Sequence, residues 1–425
     1  MSETTTAPAP TVDQAHNDDH KTPGGARATL IKIIDGSTIT SILAVVVALI
    51  VGALLIAAAD PQVQQTATYL FARPGDFFST VGTTVADAYS ALFQGAVFNI
   101  DTSYTVGDFL RPLTNTIAMS VPLIFAGLGL AVGFRSGLFN IGGQGQIILG
   151  AVLCGYIGFT FEMPAVLHVL CCFLGALIGG ALWGFIPGFL KARTGANEVI
   201  VTIMLNSIAA FFLGWLLTLD AFQRPDSNNP VSPPVLESAR YPAFFGTSIN
   251  LGFVLAIAAA IAVWWLLERS TLGFRLRAVG SNPDAARTAG MSVPSVTIWA
   301  MTIAGGLCGL AATSQLLTSP FQQLNGDIAG TFGFDAITVA LLGRSRPLGT
   351  VLAGLLFGGL QAGGYLMQSA TGTPIDVILV LKSVIVLLIA APPLVRAIFH
   401  LPDPERRKKH HRASTAAAAR SEATA

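Results

Sequence analysis

Long apolar blocks limit what this chain can fold into. Several run for about 20 residues, which as a helix covers the roughly 30 Å hydrocarbon core of a bilayer. Only 11% of the residues are charged, whereas a soluble domain carries about 25%. We therefore predict an all-α integral membrane protein, a polytopic helical bundle of about ten transmembrane helices.

The predicted spans differ in length. They are residues 38–59, 114–134, 143–161, 165–190, 199–219, 249–267, 296–317, 334–342, 348–367 and 375–391. The eighth would be about 14 Å long as a helix. It is therefore either a half-helix or the end of a span that begins near Asp327, and we prefer a crossing. Residues 77–98 are moderately apolar, and we place them along the membrane interface.

Basic residues fall on alternate connections. The basic ones are 191–193, 268–295, 344–346 and the C-terminal tail, and the poorly basic ones are 60–111, 220–248 and 318–333. Cytoplasmic connections of membrane proteins are enriched in Lys and Arg. Counting the short eighth segment as a crossing puts every basic segment on one side, and both termini are then predicted to be cytoplasmic.

The two chain ends lack apolar periodicity. Residues 1–36 are rich in Thr, Ala, Pro and Asp, and residues 399–425 are basic. Such compositions cannot form an apolar core. We predict disordered cytoplasmic tails on either side of one transmembrane domain, residues 37–398. The first apolar run, 38–59, is about twice as long as the apolar core of a secretory signal, so we do not expect it to be one.

A polar, glycine-rich segment, residues 135–146, separates the second and third spans. Its backbone cannot face lipid, because unpaired peptide groups are costly there. It is either a tight loop or part of a wet path, where membrane proteins place irregular backbone. A second glycine-bounded segment, 330–335, lies at the matching place if spans two to five and seven to ten form an inverted repeat.

Uncharged polar side chains at membrane depth are candidates for the lining of a path. A small polar solute needs amide donors and acceptors, with aromatic faces beside them. The predicted path residues are Phe139, Asn140, Gln144, Gln146, Asn206, Gln315 and Gln361. The alternative is that such amides join helices, at about 0.6 kcal/mol each. Any single amide suits this alternative, whereas the set around Asn140 and Gln144 favours the path.

Two charged residues fall within or beside apolar segments, where a charge costs roughly 2.5–3.5 kcal/mol on insertion scales. Lys382 lies midway along the tenth span, and Asp335 opens the short eighth segment. We predict that Lys382 pairs with Asp335 or with a backbone carbonyl. The pair is either a buried brace or takes part in the movement of protons or solute.

The longest basic connection, 268–295, contains helix signals. Asn282 is a good N-cap, Pro283 suits the first helical position, and Gly290 suits the left-handed residue beyond the end. We predict a helix over 283–289, either a capped loop helix without a partner or a knob for a groove on a cytoplasmic protein. The residues predicted to make that contact are Arg277, Asn282, Pro283, Asp284, Ala286, Arg287 and Gly290.

The sequence gives no sign of a bound cofactor or of an enzyme. The dipeptide Gly-Lys is absent, which excludes a Walker A motif. The four cysteines lie in apolar runs without metal-ligand spacing. We predict no catalytic residue, no metal and no cofactor in this chain. The net charge of +1 does not indicate a nucleic-acid partner.

Three segments together resemble one family. They are Gly-Leu-Phe-Asn-Ile-Gly-Gly-Gln-Gly-Gln at 137–146, Gly-Ala-Asn-Glu-Val-Ile at 195–200, and Arg-Ala-Val-Gly-Ser-Asn-Pro at 277–283 with Ala286 and Ala289-Gly290. They are similar to permease subunits of ABC importers for simple sugars and nucleosides, the branched-chain amino acid permease superfamily. The similarity covers about residues 113–393, and segment 197–199 and the long polar N-terminus look most like a nucleoside permease.

The resemblance implies an importer of the bacterial inner or plasma membrane that forms the translocation path for a nucleoside or simple sugar. It implies separate ATPase subunits that use ATP and Mg²⁺, a second homologous or identical permease subunit, and an extracellular solute-binding protein or lipoprotein. The helix at 283–289 would couple the permease to the ATPase. The alternative is a self-contained secondary transporter or channel for a small polar solute. Such a carrier should have paired acids inside its spans, whereas Glu198, Asp335 and Asp376 lie near span ends.

Overall fold

The computed structural model describes six ranges of the chain: 37–99, 106–225, 227–244, 248–318, 323–374 and 376–390. The tails predicted at 1–36 and 399–425 lie outside these ranges. Residues 44–392 form one compact unit. Of the described residues, 37–43 at the beginning of the first helix fall outside this unit.

Helices dominate the described residues. They are α1 Ser37–Ala59, α2 Pro61–Ala67, α3 Pro74–Ala96, α4 Val106–Arg135, α5 Gly143–Thr160, α6 Ala165–Thr194, α7 Glu198–Leu216, α8 Leu251–Arg269, α9 Thr271–Ser281, α10 Pro283–Thr288, α11 Val293–Leu317, α12 Phe332–Leu342, α13 Pro347–Thr371 and α14 Asp376–Ala390. In the described ranges, β pairing is limited to one bridge between Ala243 and Asn250. The predicted all-α bundle is confirmed.

Six of the described helices are long and apolar enough to cross a membrane. They are α4, α6, α7, α8, α11 and α13. A bent pair, α1 with α2, raises the number to seven if it counts as one span. The count of ten stays a prediction, since α12 and α14 have only 11 and 15 residues.

The centre of the bundle is built on close contacts between α4, α6 and α11. Gly129 of α4 faces Ala304 and Cys308 of α11, and Gly180 of α6 faces Gly305 on another side of α11. Small residues allow such close approach of membrane helices. The two most central helices, α4 and α11, are each followed by an irregular segment.

One end of the bundle gathers the basic connections, and we call it the basic end. Arg135 at the end of α4 donates to the carbonyl oxygen of Ser345 (3.1 Å) and lies 3.8 Å from Glu268 near the end of α8. Arg193 of α6 shares a groove with Ser295 of α11. Segments 191–193, 268–295 and 344–346 therefore meet at one end.

The opposite end is covered by the connection between α7 and α8, and we call it the loop end. Backbone hydrogen bonds join Ser232 to Leu324, Leu236 to Gly158, and Tyr241 to Leu317. The ring of His168 contacts Ser238 (2.8 Å) and the carbonyl oxygen of Ile157 (3.1 Å). This connection therefore ties together the ends of α5 and α11 and the start of α6.

The chain between α11 and α13 passes from the loop end to the basic end, but not as one helix. Leu324 is bonded at the loop end and Ser345 at the basic end. Residues 325–331 form turns, and α12 begins only at Phe332. Of the two alternatives for the eighth segment, the structure therefore has the short helix and not one that begins near Asp327. Asn325 accepts from the Asp327 N–H and Gly330 has a positive φ of 43°, and both favour turns over helix.

The segment placed at the membrane interface, 77–98, corresponds largely to α3. Gly95 of α3 approaches Gly363 and Leu366 of α13, and the hydroxyl of Tyr89 donates to the carbonyl of Leu49 in α1. α3 is therefore a packed member of the bundle, held by α1 and α13.

Candidate functional site

The chain between α4 and α5, residues 136–142, is irregular, and we call it the first break. The Asn140 side chain accepts from the Gly142 N–H (2.8 Å) and donates to Gln146 Oε1 (3.1 Å). Asn140 and Gln146 are 0% and 1% exposed. These two amides are therefore used inside the protein, one against the other and against the backbone.

Side chains of helix α7 supply hydrogen-bond partners for backbone groups of the first break and of the start of α5. Asn206 accepts from the Gly145 N–H (2.9 Å) and donates to the Ile141 carbonyl (2.9 Å). The Thr202 hydroxyl accepts from the Ile141 N–H (3.4 Å). The indole N–H of Trp183, beside Gly145, is buried without a partner among the described residues. The bonds from α7 satisfy irregular backbone that lipid could not.

The irregular residues 323–331 form the second break. It contacts Gln144, which lies in the first turn of α5 directly after the first break. Its Nε2 donates to the Gly330 carbonyl (2.5 Å), and its Oε1 accepts from the Gly333 N–H (3.1 Å). A Cβ on Gly143 would lie 3.2 Å from the Gly333 carbonyl oxygen, so the backbones are nearly in contact. We call this contact, Gly143 and Gln144 against Gly330 and Gly333, the junction.

A buried ion pair holds the start of α12 from its other side. Lys382 Nζ of α14 lies 3.0 Å from Asp335 Oδ2 and donates to Gln361 Oε1 of α13 (2.7 Å). The Thr331 hydroxyl donates to the same carboxylate (3.1 Å), and the ammonium lies 5.9 Å from the centre of the Phe357 ring. A charged group at membrane depth needs such partners. The structure thus brings Lys382 and Asp335 together and adds Gln361 to them.

The other predicted path residues have different surroundings. Phe139 is 43% exposed and stacks on Phe134 with ring centres 5.0 Å apart. Gln315 is partly buried, and its side chain makes no hydrogen bond to the residues that the structure describes. The structure therefore groups Asn140, Gln144, Gln146 and Asn206 at the first break and leaves Gln315 apart from them. Of the seven predicted path residues, Phe139 is the one whose side chain is exposed.

The connection 268–295 folds into two short helices, α9 and α10. The Asn282 side chain accepts from the N–H groups of Asp284 and Ala285 (both 3.0 Å), and Gly290 has a φ of 81°. Ala286 is buried, whereas Asp284 and Arg287 are exposed and form an i,i+3 pair (3.5 Å). The structure has the capped helix that the sequence indicates, as Pro283–Thr288.

A chain of polar contacts links α9 to the segment after α12. Arg277 of α9 lies 2.8 Å from Glu268, Glu268 lies 3.8 Å from Arg135, and Arg135 donates to the Ser345 carbonyl (3.1 Å). We call Arg277, Glu268, Arg135 and Ser345 the relay. Arg135 directly precedes the first break, and Ser345 lies in the turn that follows α12. The relay therefore joins α9 to the first break and to the basic end of α12.

Backbone packing reinforces the relay. A Cβ on Gly280 of α9 would lie 2.7 Å from the Ser136 carbonyl carbon, and Gly137, with a φ of 72°, faces Gly280 in return. A movement of α9 therefore meets the first break directly.

The turn after α12 is strained. Arg344 and Ser345 have φ values of 55° and 50°, the left-handed region that residues with a Cβ rarely adopt. Burial, together with the charge of Arg346, lowers the pKa of the Arg344 guanidinium, which remains charged at neutral pH. The bond from Arg135 to Ser345 helps to hold this conformation, which costs roughly 1–3 kcal/mol per residue.

Several residues of this site were not predicted from the sequence. Trp183, Thr202 and Glu268 belong to ordinary-looking spans and span ends, and only their neighbours in space give them a role. Glu268 follows the double Trp of α8 by three residues, and its one sequence signal is a charge at the end of a span. The described residues contain no group of His, Cys, Asp and Glu that could hold a metal.

Comparison with known proteins agrees with this architecture. Residues 113–390 match the family described as "Branched-chain amino acid transport system / permease component". The chain is 37% identical over 318 residues to the guanosine ABC transporter permease protein NupP of Bacillus subtilis, covering 73% of this chain and 87% of that protein. No solved structure gives a significant match.

Two further relatives have related descriptions. A nucleoside ABC transporter permease protein of Lactococcus lactis is 33% identical over 290 residues, 66% of this chain and 79% of its own. A glucose ABC transporter permease protein of Haloferax volcanii is 31% identical over 328 residues, 72% of this chain and 86% of its own. With the family match over most of the chain, these similarities decide the assignment. The chain belongs to the family described as "Branched-chain amino acid transport system / permease component", and it is a membrane permease subunit of an ABC transporter.

Proposed function

We propose that this chain lines the translocation path of an ABC importer for a nucleoside or a related simple sugar, and that separate ATPase subunits drive it. Relatives named for guanosine and nucleosides, at 37% and 33% identity, favour a nucleoside over a free sugar. The relative named for glucose keeps a sugar open as the second candidate.

The relay carries the proposal. A permease that is driven by a separate ATPase at the membrane surface needs contacts through which a movement of that ATPase reaches the translocation path. The capped helix α10 is exposed, and α9, next to it, packs on the first break at Gly137. The contacts from Arg277 through Glu268 and Arg135 to Ser345 continue to the turn after α12, the helix that begins at the second break.

The basic end is proposed to face the cytoplasm of a bacterial cell, with the ATPase docked on α10 and using ATP and Mg²⁺. The excess of Lys and Arg at this end supports that orientation. Both termini would then be cytoplasmic. A second permease chain, homologous or identical, would complete the path, and an extracellular binding protein or lipoprotein would deliver solute at the loop end.

The path itself is proposed to run along the exposed groups beside the junction. Phe139 and Phe334 are 43% and 50% exposed, and Thr331 between the second break and α12 is exposed as well. Aromatic faces and a hydroxyl suit a base and a sugar. The buried amides Asn140, Gln146 and Asn206 would position the backbone under these groups without touching solute.

Uptake by reconstituted membranes tests the proposal. Proteoliposomes would contain this chain with its ATPase and second permease, and the measured quantity would be uptake of labelled guanosine, uridine, ribose and glucose. We expect uptake of a nucleoside that requires ATP and stops when the ATPase carries an inactivating mutation in its Walker A lysine. Uptake of guanosine by the permease without the ATPase, driven by a proton or sodium gradient, would instead support a secondary transporter.

A further inference from the structure

We propose that Gln144 is a positioning residue that fastens the two breaks into one unit, so that they move together during transport. This inference rests on the proposed function, and it gives Gln144 a role different from binding solute. It starts from a chemical peculiarity of the junction: one side chain donates to one partner and accepts from another on the same short stretch of chain.

The junction requires both halves of an amide. The Gly330 carbonyl can only accept, and the Gly333 N–H can only donate. Gln144 meets the first with its Nε2 at 2.5 Å and the second with its Oε1 at 3.1 Å. Neither a purely accepting nor a purely donating side chain of this length could replace it.

The junction is also too tight for another arrangement. A Cβ on Gly333 would lie 2.6 Å from both Cα and Oε1 of Gln144. Separating the breaks would leave the Gly330 carbonyl and the Gly333 N–H without their partner in a setting where unpaired backbone is costly. The first break therefore cannot shift away from the second without breaking both bonds at once.

The substitution Gln144→Glu tests this requirement, because it keeps the shape of the side chain and replaces the amide nitrogen with an oxygen. A neutral carboxyl group donates from its hydroxyl to Gly330 and accepts from Gly333, as the amide does. A carboxylate cannot donate and faces the Gly330 carbonyl oxygen with a second negative oxygen. The variant should therefore function at acidic pH and fail as the pH rises, whereas the parent should not.

A matched control is available at the loop end. Gln223 Nε2 donates to the Ser227 carbonyl (3.1 Å), so a carboxylate in Gln223→Glu loses the same kind of bond without touching the junction. The titratable groups around the junction, Asp335 with Lys382 and Glu198 with Lys191, are present in parent and variants alike. Their effect on any pH profile is removed by dividing the variant's rate by that of the parent.

The experiment compares ATP-driven uptake of labelled guanosine by the full complex in proteoliposomes, from about pH 5 to about pH 8 on both faces. For Gln144→Glu we expect the rate relative to the parent to fall about tenfold as the pH rises, the effect of a buried bond left unmade. For Gln223→Glu we expect a relative profile that does not fall. Flat profiles for both variants would overturn the proposal.

A second readout keeps the test independent of transport. Hydrogen exchange of the backbone at 330–334 should become faster in Gln144→Glu than in the parent as pH rises, because repulsion between the carboxylate and the Gly330 carbonyl opens the junction and exposes the Gly333 N–H. Exchange that is equal in variant and parent at about pH 5 and at about pH 8 would overturn the proposal even if transport fell. If the parent complex takes up no nucleoside, the proposed function fails, while the exchange measurement still decides whether Gln144 fastens the breaks.

Discussion

The Nε of Arg135 lies 3.1 Å from the carbonyl oxygen of Ser345, a residue 210 positions further along the chain. Arg135 ends α4 just before the first break, and Ser345 lies in the strained turn after α12. The same guanidinium lies 3.8 Å from Glu268, which also pairs with Arg277 of α9. One arginine therefore links the connection at 268–295 to the first break and to the turn after α12.

The first prediction concerns Glu268→Gln, which removes the carboxylate that Arg135 and Arg277 share. These pairs are partly exposed, so the free energy of unfolding should change by about 1 kcal/mol or less. The number of solute molecules taken up per ATP hydrolysed should fall several-fold, because the ATPase is less firmly linked to the breaks. Uptake and ATP hydrolysis measured in the same proteoliposomes check this.

The control for Glu268→Gln is Glu237→Gln. Glu237 pairs with Arg240 at 3.5 Å near the loop end, away from the relay. The ratio of uptake to hydrolysis should stay at the parent value in this variant. An equal fall in both variants would remove the relay from the mechanism.

The second prediction concerns Lys382→Met, which leaves the Asp335 carboxylate in its buried site without a counter-charge. Removing one partner of a buried pair costs about 3–5 kcal/mol. The double variant Lys382→Met with Asp335→Asn should recover most of that loss. Unfolding of the purified protein in detergent, followed for the two single variants and the double variant, measures the coupling.

Transport separates the two roles that the pair could have. A double variant that folds and still takes up solute at the parent rate would make the pair a brace alone. A stable double variant without uptake would assign it a part in solute or proton movement.

The third prediction concerns Gly333→Ala. The new methyl group would lie 2.6 Å from Gln144 Oε1, so the junction must open, at a cost of about 1–3 kcal/mol. Gly326→Ala in the second break is the control, since no atom lies within 4 Å of the new Cβ. Thermal unfolding should distinguish the two variants, and equal melting temperatures would contradict the close contact.

The fourth prediction concerns the cap of α10. Asn282→Ala removes the acceptor for two N–H groups at the start of the helix, a loss of about 1 kcal/mol. Less ATPase should then co-purify with the permease, whereas Asn282→Asp, which keeps an N-cap oxygen, should retain it. Full recovery of ATPase with Asn282→Ala would mean that α10 is not the docking element.

Local signals predicted the parts of this fold that local forces stabilise. The cap at Asn282, the proline at 283 and the left-handed Gly290 predicted a helix over 283–289, and the structure has it as Pro283–Thr288. The break after Arg135 was also predictable, since polar and glycine residues interrupt an apolar pattern there.

Long-range packing explains what the sequence did not predict. Gly273 and Gly280 argue against a helix, yet both lie in α9, where their missing side chains allow contact with Leu267 and with the first break. The bond from Gln144 to Gly333 joins residues 189 positions apart. No local pattern indicated which backbone and side-chain groups the amides at 140, 146 and 206 would bind.

The most direct test of the account is guanosine uptake by proteoliposomes that contain the permease pair and binding protein, with and without the ATPase subunits and ATP. We predict accumulation against a gradient only when the ATPase is present and active, with a loss of coupling in Glu268→Gln. Accumulation by the permease chains alone would contradict the account.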